Sequence, residues 1–141
     1  MAIGMTKISN VSVLSSLSIA AATLEWASVE TEGTEINVAA TEQVIDCMLQ
    51  ISITFASGAT LPAEIHLRYS ADDGTTLDTE EVKTYATTVD SVDDDTVIIS
   101  HRIPGMFDYV DVGIKNTEAA TYAITCVVDA TYTKLTGLAS S

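Results

Sequence analysis

Residues 44–55 read VIDCMLQISITF, and this stretch decides the fold class of the chain. Apolar residues recur at every second position from Ile45 to Phe55, and most of the positions between them are polar. A period of two places successive side chains on opposite faces of an extended strand. The stretch therefore predicts a long β-strand with one buried face and one mostly polar face.

The same alternation continues on both sides of this stretch. It returns at similar length over residues 121–133, and shorter runs are separated by turn-forming sequences such as Asp72-Asp73-Gly74 and Pro104-Gly105. No segment shows a capped helical period, so little helix is expected. The remaining strands are expected over residues 23–29, 35–39, 65–69, 75–88, 96–100 and 109–114. About eight such strands predict an all-β, antiparallel β-sandwich, either jelly-roll-like or immunoglobulin-like.

Composition divides the chain into two parts. Residues 1–21 contain no acidic residue and one basic residue, Lys7, whereas all 20 acidic residues follow Thr23. We expect residues 1–21 to form an N-terminal arm or edge segment, because they are too few to bury a core of their own. Residues 22–141 are expected to form a single β-sandwich domain. The acid-free segment is a candidate docking site, and its partner-binding residues would be Ile3, Met5, Ile8, Val11, Val13, Leu14 and Leu17.

The charge balance excludes two classes of partner. Six basic and 20 acidic residues give a net charge of -14 at pH 7. Such a protein repels nucleic-acid phosphates and anionic lipid surfaces, so neither a nucleic-acid partner nor a membrane partner is expected. No apolar run reaches the length of about eighteen residues that a transmembrane helix needs. Four serines interrupt residues 11–22, so a secretory signal peptide is not expected either.

No catalytic motif is present, and we expect a non-enzymatic protein that uses no cofactor and no metal. The sequence lacks the GxSxG, HExxH and Walker patterns. Asp72-Asp73 and Asp93-Asp94-Asp95 offer oxygen ligands for calcium, but their spacing differs from that of an EF-hand loop. We expect both acidic clusters to be solvated loops, and the sequence leaves calcium binding open. His66 and His101 are expected on the solvent faces of their strands.

The two cysteines, Cys47 and Cys126, both lie in apolar alternating runs. We expect two buried free thiols, because free cysteine behaves as a small apolar residue. A disulfide between neighbouring strands is the alternative that the sequence leaves open. A zinc site is not expected, because four ligands are not found at a suitable spacing.

Two stretches resemble a known family. Residues 64–74, EIHLRYSADDG, resemble the strand and turn pattern LxYSxDxG of small virion structural proteins of tailed bacteriophages. Residues 107–116, FDYVDVGIKN, are similar to the accompanying strand pattern YVrVgVkN, and the resemblance extends over residues 63–133. It implies a compact sandwich on the virion surface or at the head–tail junction, assembled in the host cytoplasm.

The function that this resemblance implies is a capsid decoration (cement) protein that stabilises the phage head. Its partner would be the major capsid protein or another virion protein, and local threefold axes of such shells imply a homo-oligomer, a trimer. Association should increase toward a pH of about 4, where carboxyl groups become protonated. The alternatives are a head–tail or tail component, or a carbohydrate or host-surface binding module, for which Trp26 and Tyr85 are the best aromatic pair.

Overall fold

The structure is a computed structural model that describes residues 2–70, 74, 76, 77 and 85–138, with Tyr85 and Ala86 described by their backbone. Every regular element in these residues is a β-strand, which confirms the expected all-β class. The described residues contain no helix that is long and apolar enough to cross a membrane. The strands are β1 (Gly4–Ile19), β2 (Leu24–Trp26), β3 (Ile36–Asn37), β4 (Gln43–Phe55), β5 (Ala63–Tyr69), β6 (Tyr85–Val89), β7 (Thr96–Ile103), β8 (Tyr109–Asn116) and β9 (Ile124–Thr136).

One expected strand and one expected turn fall partly outside this range. Of the strand predicted over residues 75–88, the structure describes residues 76, 77 and 85–88, the last four of which belong to β6. Of the predicted Asp72-Asp73-Gly74 turn, only Gly74 is described. Gly74 has a φ of 88°, a left-handed conformation that glycine adopts readily.

The strands form two antiparallel sheets. The four-stranded sheet has the order β1-β9-β4-β7, and the five-stranded sheet has the order β2-β8-β5-β6, with β3 also paired to β8. The pairs are nested along the chain, because β1 pairs with β9, β2 and β3 with β8, β4 with β7, and β5 with β6. This is the connectivity of a jelly roll, in which a long hairpin is rolled into two sheets. An immunoglobulin sandwich would instead pair its first two strands, so the structure decides between the two predicted alternatives.

The core lies between the sheets and is built from alternate residues, as predicted for β4. On β4 the buried residues are Val44, Cys47, Leu49, Ile51, Ile53 and Phe55. Ile45, predicted on the buried face, is only half-buried, because the register of β4 with β9 shifts between Val44 and Asp46. β9 contributes Ile124, Cys126, Val128 and Ala130. The five-stranded sheet adds Ile65 and Leu67 of β5, and Val110, Val112 and Ile114 of β8. These residues place the two central pairs, β4 with β9 and β5 with β8, at the middle of the sandwich.

Both cysteines are buried and free. Cys126 pairs with Ile53, which lies six positions along β4 from Cys47. Six residues of a strand span about 20 Å. That separation is far beyond the reach of a disulfide, so the structure supports the prediction of two free thiols. Burial raises the pKa of each thiol to about 12.

Candidate interaction surface

The N-terminal segment forms β1, the edge strand of the four-stranded sheet. A bulge divides β1, because its register with β9 shifts between Ile8 and Val11. Asn10 lies in this bulge with a φ of 54°, and its backbone N–H donates to Oγ1 of Thr131 at 3.2 Å. Asparagine tolerates the left-handed conformation better than most residues. The bulge separates an outer half, residues 4–8, from an inner half, residues 11–19.

The inner half has its outward edge covered by residues 32–34. The N–H of Thr34 donates to the carbonyl of Val13, and the N–H of Ser15 donates to the carbonyl of Glu32, both at 2.9 Å. Gly33 forms a bridge with Leu14, and a Cβ on Gly33 would come within 2.4 Å of the Ala27 carbonyl. Only glycine therefore fits at position 33, where the segment pairs with β1 and also lies against the backbone of Ala27.

The outer half has no such cover. Residues 4–8 pair in continuous register with residues 132–136 of β9, and no other strand among the described residues pairs with their opposite side. Ile3 and Met5 are 65% and 70% exposed. An uncovered row of backbone donors and acceptors is a template for pairing with another chain. We call residues 4–8 the free edge.

The surroundings of the free edge are close to electrically neutral. Lys7 is exposed on the edge itself. Nζ of Lys134 lies 2.8 Å from Oε2 of Glu42, and Arg102 forms an ion pair with Asp46. The hydrogen bond from Lys134 lowers the pKa of Glu42, so this carboxylate stays ionised. Two cations, Lys7 and Lys134, and one acid, Glu42, thus lie beside this edge, in a protein whose net charge is -14. The pair of Asp46 and Arg102 lies farther away, on β4 and on the opposite edge strand β7.

The seven residues predicted to bind a partner fall into three groups. Ile3 and Met5 are exposed beside the free edge, and Ile8 and Val11 are half-buried. The other three, Val13, Leu14 and Leu17, are buried in the protein's own core. Only the first two, Ile3 and Met5, have largely exposed side chains. Removal of residues 1–21 would remove core side chains as well as the edge.

A second feature is the outer face of the five-stranded sheet. Since Val110, Val112 and Ile114 face the core, the alternate residues Tyr109, Asp111 and Gly113 face outward. All of these β8 residues are nevertheless buried. The outer face therefore carries its own packed layer, whose side chains come from β2, β5, β8 and the loop after β2. We call it the Asp111 cluster; it consists of Trp26, Ser28, His66, Arg68, Tyr109 and Asp111.

Asp111 is the centre of this cluster. Its carboxylate accepts hydrogen bonds from Nε of Arg68 at 2.8 Å and from the N–H of Ser28 at 3.0 Å. The hydroxyl of Ser28 donates a hydrogen bond to Oδ2 of Asp111 at 2.5 Å. Burial, followed by the charge of Asp111, raises the pKa of the Tyr109 hydroxyl. The bonds between these side chains join three parts of the chain across one sheet face.

Trp26 lies over this face and is in contact on several sides. Cζ of Arg68 is 4.1 Å from the indole centroid, and the ring of His66 meets it edge-on at 6.3 Å. A Cβ on Gly113 would come within 2.7 Å of Cε3 of Trp26. These contacts occupy ring surface that a stacked sugar would need. Tyr85 pairs with His66 in the same row of the sheet, but its side chain lies outside the described atoms.

The histidines differ from their predicted placement. His66 is 1% exposed, and its Nε2 lies 3.0 Å from Oε1 of Glu64. His101 pairs with Leu49, whose side chain is in the core, so His101 also faces inward. The prediction of solvent-facing histidines was therefore wrong for both. The reason is that β5 is buried on both faces, and that β7 alternates in register with the core positions of β4.

The acidic loops are tied to neighbouring backbone. Oδ1 of Asp93 accepts from the N–H of Gly58 at 2.7 Å, and Oδ1 of Asp95 accepts from the N–H of Thr96 at 2.7 Å. Asp72 and Asp73 lie outside the described residues. In the part of the chain that is described, no group of three or more His, Cys, Asp or Glu residues could hold a metal ion.

Comparison with known proteins finds little. No model of a protein family matches the chain, and no curated protein matches it. The chain is similar to part of a chain in a solved structure described as "Structure of infectious bursal disease virus Gx strain". The identity is 10% and the TM-score is 0.43, over 96% of this chain and 32% of that chain. This chain therefore corresponds to 32% of that chain's length, and the likeness is too distant to carry an argument about function.

Proposed function

We propose that this protein is a non-enzymatic structural protein of a tailed-phage virion, a decoration (cement) protein that stabilises the head. The observation that carries the proposal is the free edge, an uncovered stretch of strand on an otherwise strongly acidic jelly roll. Assembly proteins need such a surface, whereas isolated proteins usually protect their sheet edges. Its partner in the particle would be the major capsid protein or another virion protein.

The phage resemblance supports the proposal through the strands on which it falls. The LxYSxDxG stretch, residues 64–74, includes all of β5 except Ala63, and the YVrVgVkN stretch includes β8. These two strands pair with each other over seven positions, including Arg68 with Asp111. Within the first pattern, Oγ of Ser70 accepts from the N–H of Gly74 at 2.8 Å, which gives the Ser and Gly of that pattern a turn-forming role. The two matching stretches thus form one continuous unit of the sandwich.

The free edge would act by strand addition. A strand from a neighbouring subunit would supply the missing backbone hydrogen bonds, and the exposed side chains of Ile3 and Met5 would be buried against it. Complete burial of each side chain contributes about 1.5–3 kcal/mol before the entropy of association is subtracted. The many carboxylates elsewhere would keep unassembled copies soluble.

Binding to purified heads of the encoding phage tests this proposal. Wild-type protein should co-sediment with heads that lack it and should raise the temperature at which they release DNA. Met5→Glu should bind at least about tenfold more weakly, because it places a charge where apolar contact and strand pairing occur. Val29→Glu is the matched control, since Val29 is 71% exposed and lies in the loop after β2, outside the free edge.

Two results would contradict the proposal. Wild-type protein that neither sediments with the heads nor changes their heat stability would contradict it as a whole. Equal binding by Met5→Glu and wild type would contradict the role of the free edge. Labelled protein found at the neck or tail in electron micrographs would replace the decoration role with the head–tail or tail role.

A further inference from the structure

The two halves of β1 differ in how far their outward edge is protected from pairing with another strand. The inner half is protected, and the free edge almost not at all. The inner half is covered by residues 32–34 and contains two further register shifts, at residues 12–14 and 14–17. Bulges and covering loops are common means by which proteins prevent accidental pairing of edges. In the free edge the register is continuous, and Lys7 is its one charged side chain. This stretch is therefore shaped to accept a partner strand.

We propose that the free edge pairs with the free edge of a second copy of this chain, antiparallel about a twofold axis. The pairing would join two four-stranded sheets into one sheet of eight strands. This inference deepens the proposed function and rests on it, because it names the neighbouring subunit that fills the edge. The resulting symmetry is a dimer, in place of the trimer expected from the resemblance.

Charge is the first argument for a second copy as the occupant. Two bodies with a net charge of -14 each repel one another strongly over most approaches. Beside the free edge the acid Glu42 is paired with Lys134, and Lys7 carries the remaining charge. The opposite edge strand, β7, begins instead at three exposed acids, Asp93, Asp94 and Asp95. Two copies therefore approach with less repulsion when their free edges meet than when their β7 edges meet.

Geometry is the second argument. A twofold axis uses each edge once and closes the assembly at two copies, whereas pairing between unlike edges would continue into rings or fibres. Five residues of strand span about 17 Å. The bulge at Asn10 ends the straight stretch and so limits the pairing to this length. Because the strands would run antiparallel, Ile3 and Met5 of one copy would lie near the C-terminal end of the other free edge.

Sedimentation velocity with light scattering at neutral pH and moderate salt tests the inference. Wild type and Val29→Lys should be dimers at micromolar concentration, and added salt should strengthen association by screening the net charge. Met5→Lys should dissociate at least about tenfold more readily, because a twofold axis at Thr6 places each introduced ammonium group opposite Lys7 of the other copy. Circular dichroism of each variant establishes that the fold is retained.

A cysteine introduced at Thr6 identifies the symmetry. Thr6 lies at the middle of the free edge, so Thr6→Cys should form an intermolecular disulfide under mild oxidation, whereas Val29→Cys should not. The native Cys47 and Cys126 are buried and do not interfere. A wild-type protein that stays monomeric at high concentration, a dimer unaffected by Met5→Lys, or a Thr6→Cys variant that does not cross-link would each overturn the inference.

The same samples separate this inference from the proposed function. A monomer that binds heads would leave the virion role standing and overturn the twofold pairing. A dimer that cross-links through Thr6→Cys but does not bind heads would support the pairing and overturn the virion role.

Discussion

Arg68 and Asp111 face each other across β5 and β8 and form an ion pair at 2.8 Å on the outer face of the five-stranded sheet. The Asp111 side chain has no exposed surface, and that of Arg68 is 17% exposed. Ser28 and Trp26 complete the surroundings of the pair, through the hydrogen bonds to Asp111 and the stacking of Arg68 on the indole. The pair therefore holds the loop after β2 and two central strands together.

Removal of the Asp111 carboxylate should lower the free energy of unfolding substantially. Asp111→Ala leaves a largely buried guanidinium without its partner, which typically destabilises a protein by about 3–5 kcal/mol. Asp46→Ala is the control, because Asp46 and Arg102 are more than half exposed and an exposed pair contributes about 0–1 kcal/mol. Urea unfolding followed by circular dichroism measures both. Equal decreases in the free energy of unfolding for Asp111→Ala and Asp46→Ala would contradict the structural role of Asp111.

A side chain at position 113 should displace the indole. In Gly113→Ala the new Cβ would lie 2.7 Å from Cε3 of Trp26, so the ring must move, at a cost of about 1–3 kcal/mol. The protein has one tryptophan, so its emission spectrum reports on this ring directly. Gly105→Ala is the control for the spectrum only: its φ of 81° makes alanine costly for the backbone, but its Cβ meets nothing within 4 Å, so the emission should stay unchanged. An unchanged spectrum in Gly113→Ala would contradict the packing of Trp26 against Gly113.

The thiols should be unreactive in the folded protein. Because the pKa of each buried thiol is raised to about 12, both remain protonated at pH 8, and neither is accessible to reagent. A thiol reagent should label no cysteine in native buffer and two in denaturant. Rapid labelling of either thiol at pH 8 without denaturant would refute their burial.

The raised pKa of the two thiols also affects stability, since unfolding would release their protons above the ordinary pKa of 9.0. Stability should therefore fall as the pH rises from 9 toward 12.

His101 should make the fold sensitive to mild acid. Burial lowers the pKa of His101 below its ordinary value of 6.5, and its Nε2 has no hydrogen-bond partner in the described part of the chain. The unfolded state then binds a proton at a higher pH than the folded state. The stability that neutral His101 contributes is therefore fully present above pH 6.5 and is lost as the pH falls through the pKa of His101 in the folded state. His101→Leu should become relatively more stable than wild type between pH 7 and 5. Parallel stability curves for the two proteins would contradict the inward placement of His101.

The sequence predicts best where burial follows a simple alternation. The period of two over residues 44–55 identified β4, and the same period identified β9, since each of these strands has one core face. The acid-free composition identified residues 1–21 as unusual, but the alternation in β1 is broken by its bulges. Val13 and Leu14 are consecutive in sequence and both fully buried, a pattern that no regular strand period predicts.

The polar residues of the sandwich were harder to predict. Alternation in β8 indicates that Asp111 faces away from the core, which is correct, but it also suggests contact with solvent. Asp111 is buried because Ser28 and Arg68 reach it from segments 83 and 43 positions away. Glu118 is buried for a similar reason, since it accepts hydrogen bonds from the N–H groups of Thr60 and Leu61. Such contacts depend on the assembled topology, which a local pattern does not contain.

Hydrogen exchange at the free edge tests the central claim most directly. Amide exchange would be compared between protein at high dilution and protein assembled on heads, with the backbone of residues 32–34 as an internal reference. We expect exchange within residues 4–8 to slow at least about tenfold on assembly, because strand addition gives their outward amides hydrogen-bond partners. Residues 32–34 should be unchanged. Assembly that leaves exchange at residues 4–8 as fast as in the dilute protein would contradict the claim that this edge is the interaction surface.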